Sequence, residues 1–135
     1  MLGSHYPTKL LIIDDGPDVR KLLRIIQGGT DLVCTATPDT VLASKIAVCD
    51  PPHLILMDTA LRTGDGLLLL DWLCANMHTK DIPIIVATAQ TTPGFDAWVH
   101  AKNSVKVLQK PCAKDVLLDL LQQVLEKQVR ISGAS

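Results

Sequence analysis

The sequence predicts an α/β fold in which five parallel strands form one doubly wound sheet between two layers of helices, a three-layer α/β/α sandwich. Short runs rich in Leu, Ile and Val alternate five times with segments of helical periodicity. These runs are apolar along their whole length, which is typical of parallel strands covered by helices on both faces. The chain of 135 residues has room for one such domain.

The first strand and the first helix are predicted over residues 9–14 and 17–27. The strand is a short apolar run that ends in carboxylates. The helix carries apolar side chains at helical spacing, at Val19, Leu22, Leu23 and Ile26. Gly28 and Gly29 follow and are expected to end it, since glycine is common just beyond helix C-termini.

The second strand, over residues 32–36, is the weaker apolar run, and residues 37–48 form the second predicted helix. Thr37 and Asp39 lie at the start of that helix, where a short side-chain oxygen can accept hydrogen bonds from unpaired backbone amides. Residues 50–52, Asp-Pro-Pro, end it.

Three further strand and helix pairs complete the pattern. The strands are predicted over residues 54–58, 82–88 and 105–108. The helices are predicted over residues 66–77, 94–102 and 113–129. Residues 1–8 are expected to be a disordered leader or a vector-derived remnant, residues 9–129 the folded domain, and residues 130–135 a C-terminal tail.

The last predicted helix carries two apolar stripes. The stripe expected to face the core consists of Val116, Leu117, Leu120, Leu121 and Val124. A second stripe lies to one side and consists of Leu118, Leu125 and Val129. We interpret the two as one wide core face. The alternative is that the second stripe, together with the fifth strand and the fourth helix, forms a surface for a partner or for a second copy of the chain.

Composition excludes several classes of protein. The 13 basic and 14 acidic residues nearly balance, whereas nucleic-acid and anionic membrane surfaces require a basic field. No apolar run approaches the roughly 20 residues needed to span a bilayer. The four cysteines lack the close spacing of metal or redox motifs, so we expect buried free thiols in the reducing cytoplasm.

Polar residues follow the predicted strands at the edge where ligands bind in sheets of this kind. Asp14 and Asp15 end the first strand, Asp58 the third and Thr88 the fourth, and Lys110 follows the fifth. Clustered carboxylates repel one another unless a cation neutralises them. Oxygen ligands of this type suit Mg²⁺, and the added hydroxyl and ammonium could hold a phosphoryl group. Asp58 is then a plausible nucleophile, because aspartate can form an acyl phosphate.

Four motifs at these strand ends resemble the receiver domain of bacterial two-component response regulators, in the CheY-like superfamily. They are LIIDDGPDVR at residues 11–20, LILMD at 54–58 with Asp65-Gly66 after it, Ala87-Thr88-Ala89, and Lys110-Pro111. The resemblance extends from about Lys9 to Lys127 and implies the flavodoxin-like (βα)5 topology. It also implies a module without enzymatic activity of its own.

The resemblance implies that Asp58 is the phosphoacceptor, which takes a phosphoryl group from a phosphohistidine. It implies a Mg²⁺ ion held by Asp15 and Asp58, with Asp14 acting through water and the backbone carbonyl of Ala60 as a further ligand. Lys110 would pair with the phosphorylated aspartate.

The resemblance further places the family's switch at Thr88 and Val107, where Thr88 would follow the phosphoryl group and move the loop after the fourth strand. Family members usually carry Tyr or Phe where this chain has Val107, and Pro where it has Arg62. An alternative route for the signal is the loop shift together with the helix that contains Phe95 and Trp98.

The partner implied by the resemblance is a sensor histidine kinase or a phosphotransfer protein. A homodimer through the fourth helix, fifth strand and fifth helix is a further implied assembly, and no direct contact with nucleic acid or membrane is expected. Two alternative functions remain open from the sequence. One is a receiver-like interaction module that works without phosphorylation, which Val107 favours. The other is an aspartyl-phosphate phosphohydrolase, which Ala60 disfavours because such enzymes place an acid there.

Overall fold

A computed structural model describes residues 8–14, 32–58, 66–88, 92–102, 104–109, 115–117 and 119–124. Five strands form one sheet in the order β2-β1-β3-β4-β5, and each neighbouring pair is parallel. The strands are β1 (Thr8–Ile13), β2 (Leu32–Thr37), β3 (Leu54–Asp58), β4 (Ile84–Thr88) and β5 (Val105–Gln109). The strand order reverses at β1, so the predicted doubly wound parallel sheet is confirmed.

Three helices have described bounds: α1 (Thr40–Cys49), α2 (Gly66–Ala75) and α3 (Pro93–His100). Residues 115–117 and 119–124 are also helical, within the predicted last helix. The helix predicted over 17–27 lies outside the described residues. No helix in the described ranges is both long and apolar enough to cross a membrane.

The core has two layers, one on each face of the sheet. Strand side chains alternate between the layers, so Leu11 and Ile13 of β1 belong to one and Leu10 and Ile12 to the other. The first layer packs against α1, α2 and α3, and it includes Ala43, Ala47, Leu69, Leu70, Leu73 and Val99. The second layer packs against the C-terminal helical residues, and it includes Leu117 and Leu121. Both faces are thus covered, as predicted.

The core stripe predicted on the last helix is correct only in part. Leu117 and Leu121 are buried, and Leu120 and Val124 pack against them. Val116, however, is 51% exposed, so its place in the stripe was predicted wrongly. Residue 116 lies about 100° around the helix from residue 117, which is enough to leave the core side.

Helix α2 ends at Ala75, two residues earlier than predicted, and local hydrogen bonds cap its carboxyl end. The hydroxyl of Thr79 donates to the carbonyl of Leu73 at 2.7 Å, and both residues are completely buried. The backbone amides of Thr79 and Lys80 donate to the carbonyl of Asn76. These bonds satisfy carbonyls that the ended helix would leave unpaired.

Two hydrogen bonds and an ion pair among Lys9, Asp50 and His53 join the amino ends of β1 and β3. The backbone amide of Lys9 donates to Nδ1 of His53, and the amide of His53 donates to the carbonyl of Lys9, both at 2.9 Å. The side chain of Lys9 forms an ion pair with Asp50. His53 therefore has a structural role at this end of the sheet.

The three described cysteines differ from the expectation of buried thiols, and Cys112 lies outside the described residues. Cys49 at the end of α1 is exposed, and Cys34 and Cys74 are half-buried, so the prediction was wrong for Cys49 and too strong for the other two. Partial burial raises the pKa of the Cys34 thiol. Burial also raises the pKa of Cys74, an effect that Lys102 opposes and Asp71 reinforces.

We expect Cys49 to react several-fold faster with iodoacetamide at neutral pH than Cys34 or Cys74. The thiolate is the reactive form, and a raised pKa lowers its fraction at a given pH. Because the pKa values of Cys34 and Cys74 are raised, the rates at these two sites should keep rising with pH beyond the ordinary pKa of a thiol. Peptide mapping by mass spectrometry measures each site separately. Equal rates at the three sites would contradict this ordering.

Candidate functional site

The strand register brings three of the predicted site residues to one edge of the sheet. Ile13 of β1 pairs with Met57 of β3, so Asp14 and Asp58 occupy the next matched positions. Asp58 pairs in turn with Ala87 of β4, and Thr88 is the following residue. Asp14, Asp58 and Thr88 therefore end three adjacent strands at the carboxyl edge, where the sequence placed them.

The three side chains differ in burial. Asp58 is 8% exposed and Thr88 is 6% exposed, while Asp14 is half-buried. A buried carboxylate is costly unless it is paired or close to a cation. Asp58 is the only buried carboxylate in the part of the chain that the structure describes.

Thr37 of β2 holds the site edge beside β1, a role that the sequence did not reveal. The backbone amide of Asp14 donates to the carbonyl of Thr37 at 3.2 Å, the last link between β1 and β2. Thr37 is 6% exposed, and its Oγ1 accepts from the amide of Asp39 at 3.1 Å. The Thr-Pro-Asp run was a detectable signal, but it was assigned only to the start of a helix.

Strand β5 extends the edge on the other side. Gln109 pairs with Thr88, and Lys110 follows Gln109 directly in the sequence. Lys110 lies outside the described residues, as do Asp15, Ala60 and Arg62, so their predicted positions at the site stay predictions.

The switch position Val107 is half-buried and packs against the core layer that also contacts Phe95 and Trp98. On α3 the rings of Phe95 and Trp98 stack with centroids 6.2 Å apart. The ammonium of Lys102 lies 5.2 Å from the centre of the Trp98 ring, within cation–π range. Where α3 and β5 adjoin, the helix therefore contributes aromatic side chains and the strand contributes an aliphatic one.

The donor set fits Mg²⁺. Asp14 and Asp58 supply carboxylate oxygens from neighbouring strands, and Mg²⁺ commonly takes one or two protein carboxylates and completes its shell with water. Within the described ranges, no group of three His, Cys, Asp or Glu side chains comes together as a metal cluster. Asp15, the predicted third carboxylate of the site, lies outside those ranges.

A family model described as the response regulator receiver domain matches residues 10–122. The chain belongs to this family. The predicted resemblance is thereby confirmed, and the protein is a receiver domain of two-component signalling.

Several curated relatives of this receiver domain are longer proteins. The chain is 30% identical to a protein-glutamate methylesterase/protein-glutamine glutaminase of the group 3 operon of Cereibacter sphaeroides, over 94% of the chain and 33% of that protein. It is also 30% identical to the C4-dicarboxylate transport transcriptional regulatory protein DctD of Pseudomonas aeruginosa, over 88% of the chain and 25% of that protein. The receiver domain thus spans a quarter to a third of the length of these two relatives.

Solved structures show the same fold. The signal receiver domain of a LuxO repressor protein from Vibrio parahaemolyticus superposes with a TM-score of 0.80 at 20% identity, over 96% of this chain and 98% of that one. The receiver domain of sensor histidine kinase PA1611 from Pseudomonas aeruginosa has a TM-score of 0.72 at 23% identity, over 90% and 99% of the two chains. That structure holds a magnesium ion in its active site cleft.

Proposed function

We propose that this receiver domain accepts a phosphoryl group on Asp58 from the phosphohistidine of a sensor histidine kinase or a phosphotransfer protein, in a Mg²⁺-dependent reaction. The observation that carries the proposal is the buried carboxylate of Asp58 at the end of β3, matched in register by Asp14 on one side and flanked by Thr88 on the other. The magnesium ion in the related PA1611 receiver supports the choice of metal.

In the proposed reaction, a carboxylate oxygen of Asp58 attacks phosphorus and forms a P–O bond. The P–N bond of the phosphohistidine breaks, and its electron pair stays on the imidazole nitrogen of the donor. Mg²⁺ held by Asp15, Asp58 and the Ala60 carbonyl, with Asp14 acting through water, would supply positive charge to the phosphoryl oxygens. The hydroxyl of Thr88 donates a hydrogen bond to one phosphoryl oxygen, and Lys110 pairs with the phosphorylated aspartate.

The output follows from the position of Thr88 at the end of β4. When its hydroxyl moves toward the phosphoryl group, the loop between β4 and α3 shifts with it. We propose that the shift alters the face formed by α3, β5 and the C-terminal helical residues, through which the chain would bind a partner or a second copy of itself. The domain thus acts as a controlled binding module in the cytoplasm, with no reaction of its own on external substrates.

A second candidate function is partner binding without phosphorylation, and Val107 is the observation that favours it. This half-buried valine lacks the ring that would swing on activation in other receivers. If a partner binds the wild type and the Asp58→Asn variant equally well, with or without a phosphodonor, this second function replaces the first.

The direct test is incubation of the wild-type chain with acetyl phosphate and Mg²⁺. The intact mass is expected to rise by one phosphoryl group, because small phosphodonors supply the same electrophilic phosphorus as phosphohistidine. Chelation of Mg²⁺ by EDTA should prevent the gain. No gain in mass, under conditions in which a control receiver reacts, would overturn the proposal.

A further inference from the structure

The corner between β2 and α1 joins the acidic edge to a helix by consecutive hydrogen bonds. It starts at Thr37, whose carbonyl accepts from the amide of Asp14. The hydroxyl of the same residue accepts from the amide of Asp39. One threonine therefore contacts the acidic site through its backbone and the start of α1 through its side chain.

Asp39 extends this connection into the helix. Its carboxylate accepts from the amides of Val41 at 2.9 Å and Leu42 at 3.2 Å, and its carbonyl accepts from the amide of Ala43 at 2.9 Å. Ala43 and Ala47 are completely buried, so α1 is held firmly against the first core layer. The direction in which the chain leaves β2 is thus set by the helix and the turn together.

Thr37 is buried, and its hydrogen bond from the amide of Asp39 is partly shielded from solvent. Without its oxygen, the amide of Asp39 loses its acceptor, and the turn can relax. The carbonyl of Thr37 belongs to the same peptide unit that leads into this turn, so a relaxed turn reorients the acceptor of the Asp14 amide. Asp14 lies one residue beyond β1, where this link to β2 holds its backbone.

We infer that Thr37 is a positioning residue for the metal site, which holds Asp14 in register with Asp58 through the β2–α1 corner. The inference rests on the proposed function, since it concerns the Mg²⁺ that Asp58 would bind directly and Asp14 through water. Residues that orient metal ligands typically change metal affinity by about 10–100-fold when removed. Thr37 acts through the backbone, so we expect the lower end, a loss of about 10-fold.

The test compares Thr37→Val with Thr35→Val, the same substitution at an exposed position two residues earlier on β2. The Mg²⁺ dissociation constant of the unphosphorylated protein is measured by calorimetric titration, and the melting temperature is measured without Mg²⁺. Thr37→Val should weaken Mg²⁺ binding about 10-fold, and Thr35→Val should leave it unchanged. Thr37→Ser, which keeps the hydroxyl, should restore the wild-type affinity.

A second readout is hydrogen exchange of the Asp14 amide, which should become faster in Thr37→Val than in Thr35→Val. If Thr37→Val fails to fold, Thr37→Cys replaces it, since a thiol of similar size is only a weak acceptor. A lower melting temperature with unchanged Mg²⁺ affinity and unchanged Asp14 exchange would show a merely structural role and overturn the inference. If the wild type itself binds no Mg²⁺, the metal site of the proposed function fails, and the inference fails with it.

Discussion

The Asp58→Asn variant is expected to take up no phosphoryl group from acetyl phosphate, whereas the wild-type chain gains one. Asparagine keeps the size of the side chain but lacks the anionic oxygen that attacks phosphorus. It also removes one of the two described carboxylates available to Mg²⁺. The mass gain should be lost completely. Among the described acids, only Asp58 is buried, and it lies next to Asp14 at the strand ends.

Asp71→Asn is the matched control for this experiment. Asp71 lies on the exposed side of α2, away from the strand ends, so its replacement should leave phosphorylation at the wild-type level. Circular dichroism of both variants establishes that they are folded. Phosphorylation of a folded Asp58→Asn protein at the wild-type rate would show that the phosphoacceptor has been misassigned.

The Leu70→Ala variant is expected to lose about 2–5 kcal/mol of unfolding free energy. Leu70 is completely buried in the layer between the sheet and the helices, where the removed methyl groups leave a cavity that close packing cannot fill. Native domains of this size are stable by only about 5–15 kcal/mol, so the loss is a large share of the total. Urea denaturation followed by circular dichroism measures it.

Leu68→Ala on the same helix provides the comparison. Leu68 is 71% exposed, and its truncation should change the free energy of unfolding by no more than about 0.5 kcal/mol. Both variants replace leucine by alanine within the same helix, so the change in helix propensity is the same. The difference between their free energies of unfolding therefore reports the effect of burial. Similar denaturation midpoints for both would contradict the burial pattern of α2.

The sheet and its site edge were predictable because the same residues define both. Strand β3 was predicted at its observed bounds because its apolar run stops at Asp58, which is also the proposed phosphoacceptor. The alternation of strands and helices required parallel pairing, and parallel strands bring their carboxyl ends together. Parallel pairing therefore predicts that Asp14, Asp58 and Thr88 lie together at one edge of the sheet.

Features that depend on tertiary contacts could not be predicted in this way. The early end of α2 requires the hydroxyl of Thr79 to reach the carbonyl of Leu73, which periodicity does not show. The exposure of Val116 depends on how the last helix is rotated against the sheet, whereas its pattern defines only a broad apolar face. Thr37 was visible as a helix-start residue, but its contact with Asp14 depends on the pairing of β1 with β2.

Helix α1 offers a practical route to an optical sensor of this domain. It begins beside the acidic edge at Asp39 and ends about 15 Å away at the exposed Cys49, given a rise of about 1.5 Å per residue. A fluorophore on Cys49, in a chain whose other three cysteines are replaced by serine, would leave the metal ligands untouched. It would still be attached to the helix whose first turn is hydrogen-bonded to Asp39, and the amide of Asp39 donates in turn to Thr37 beside the site.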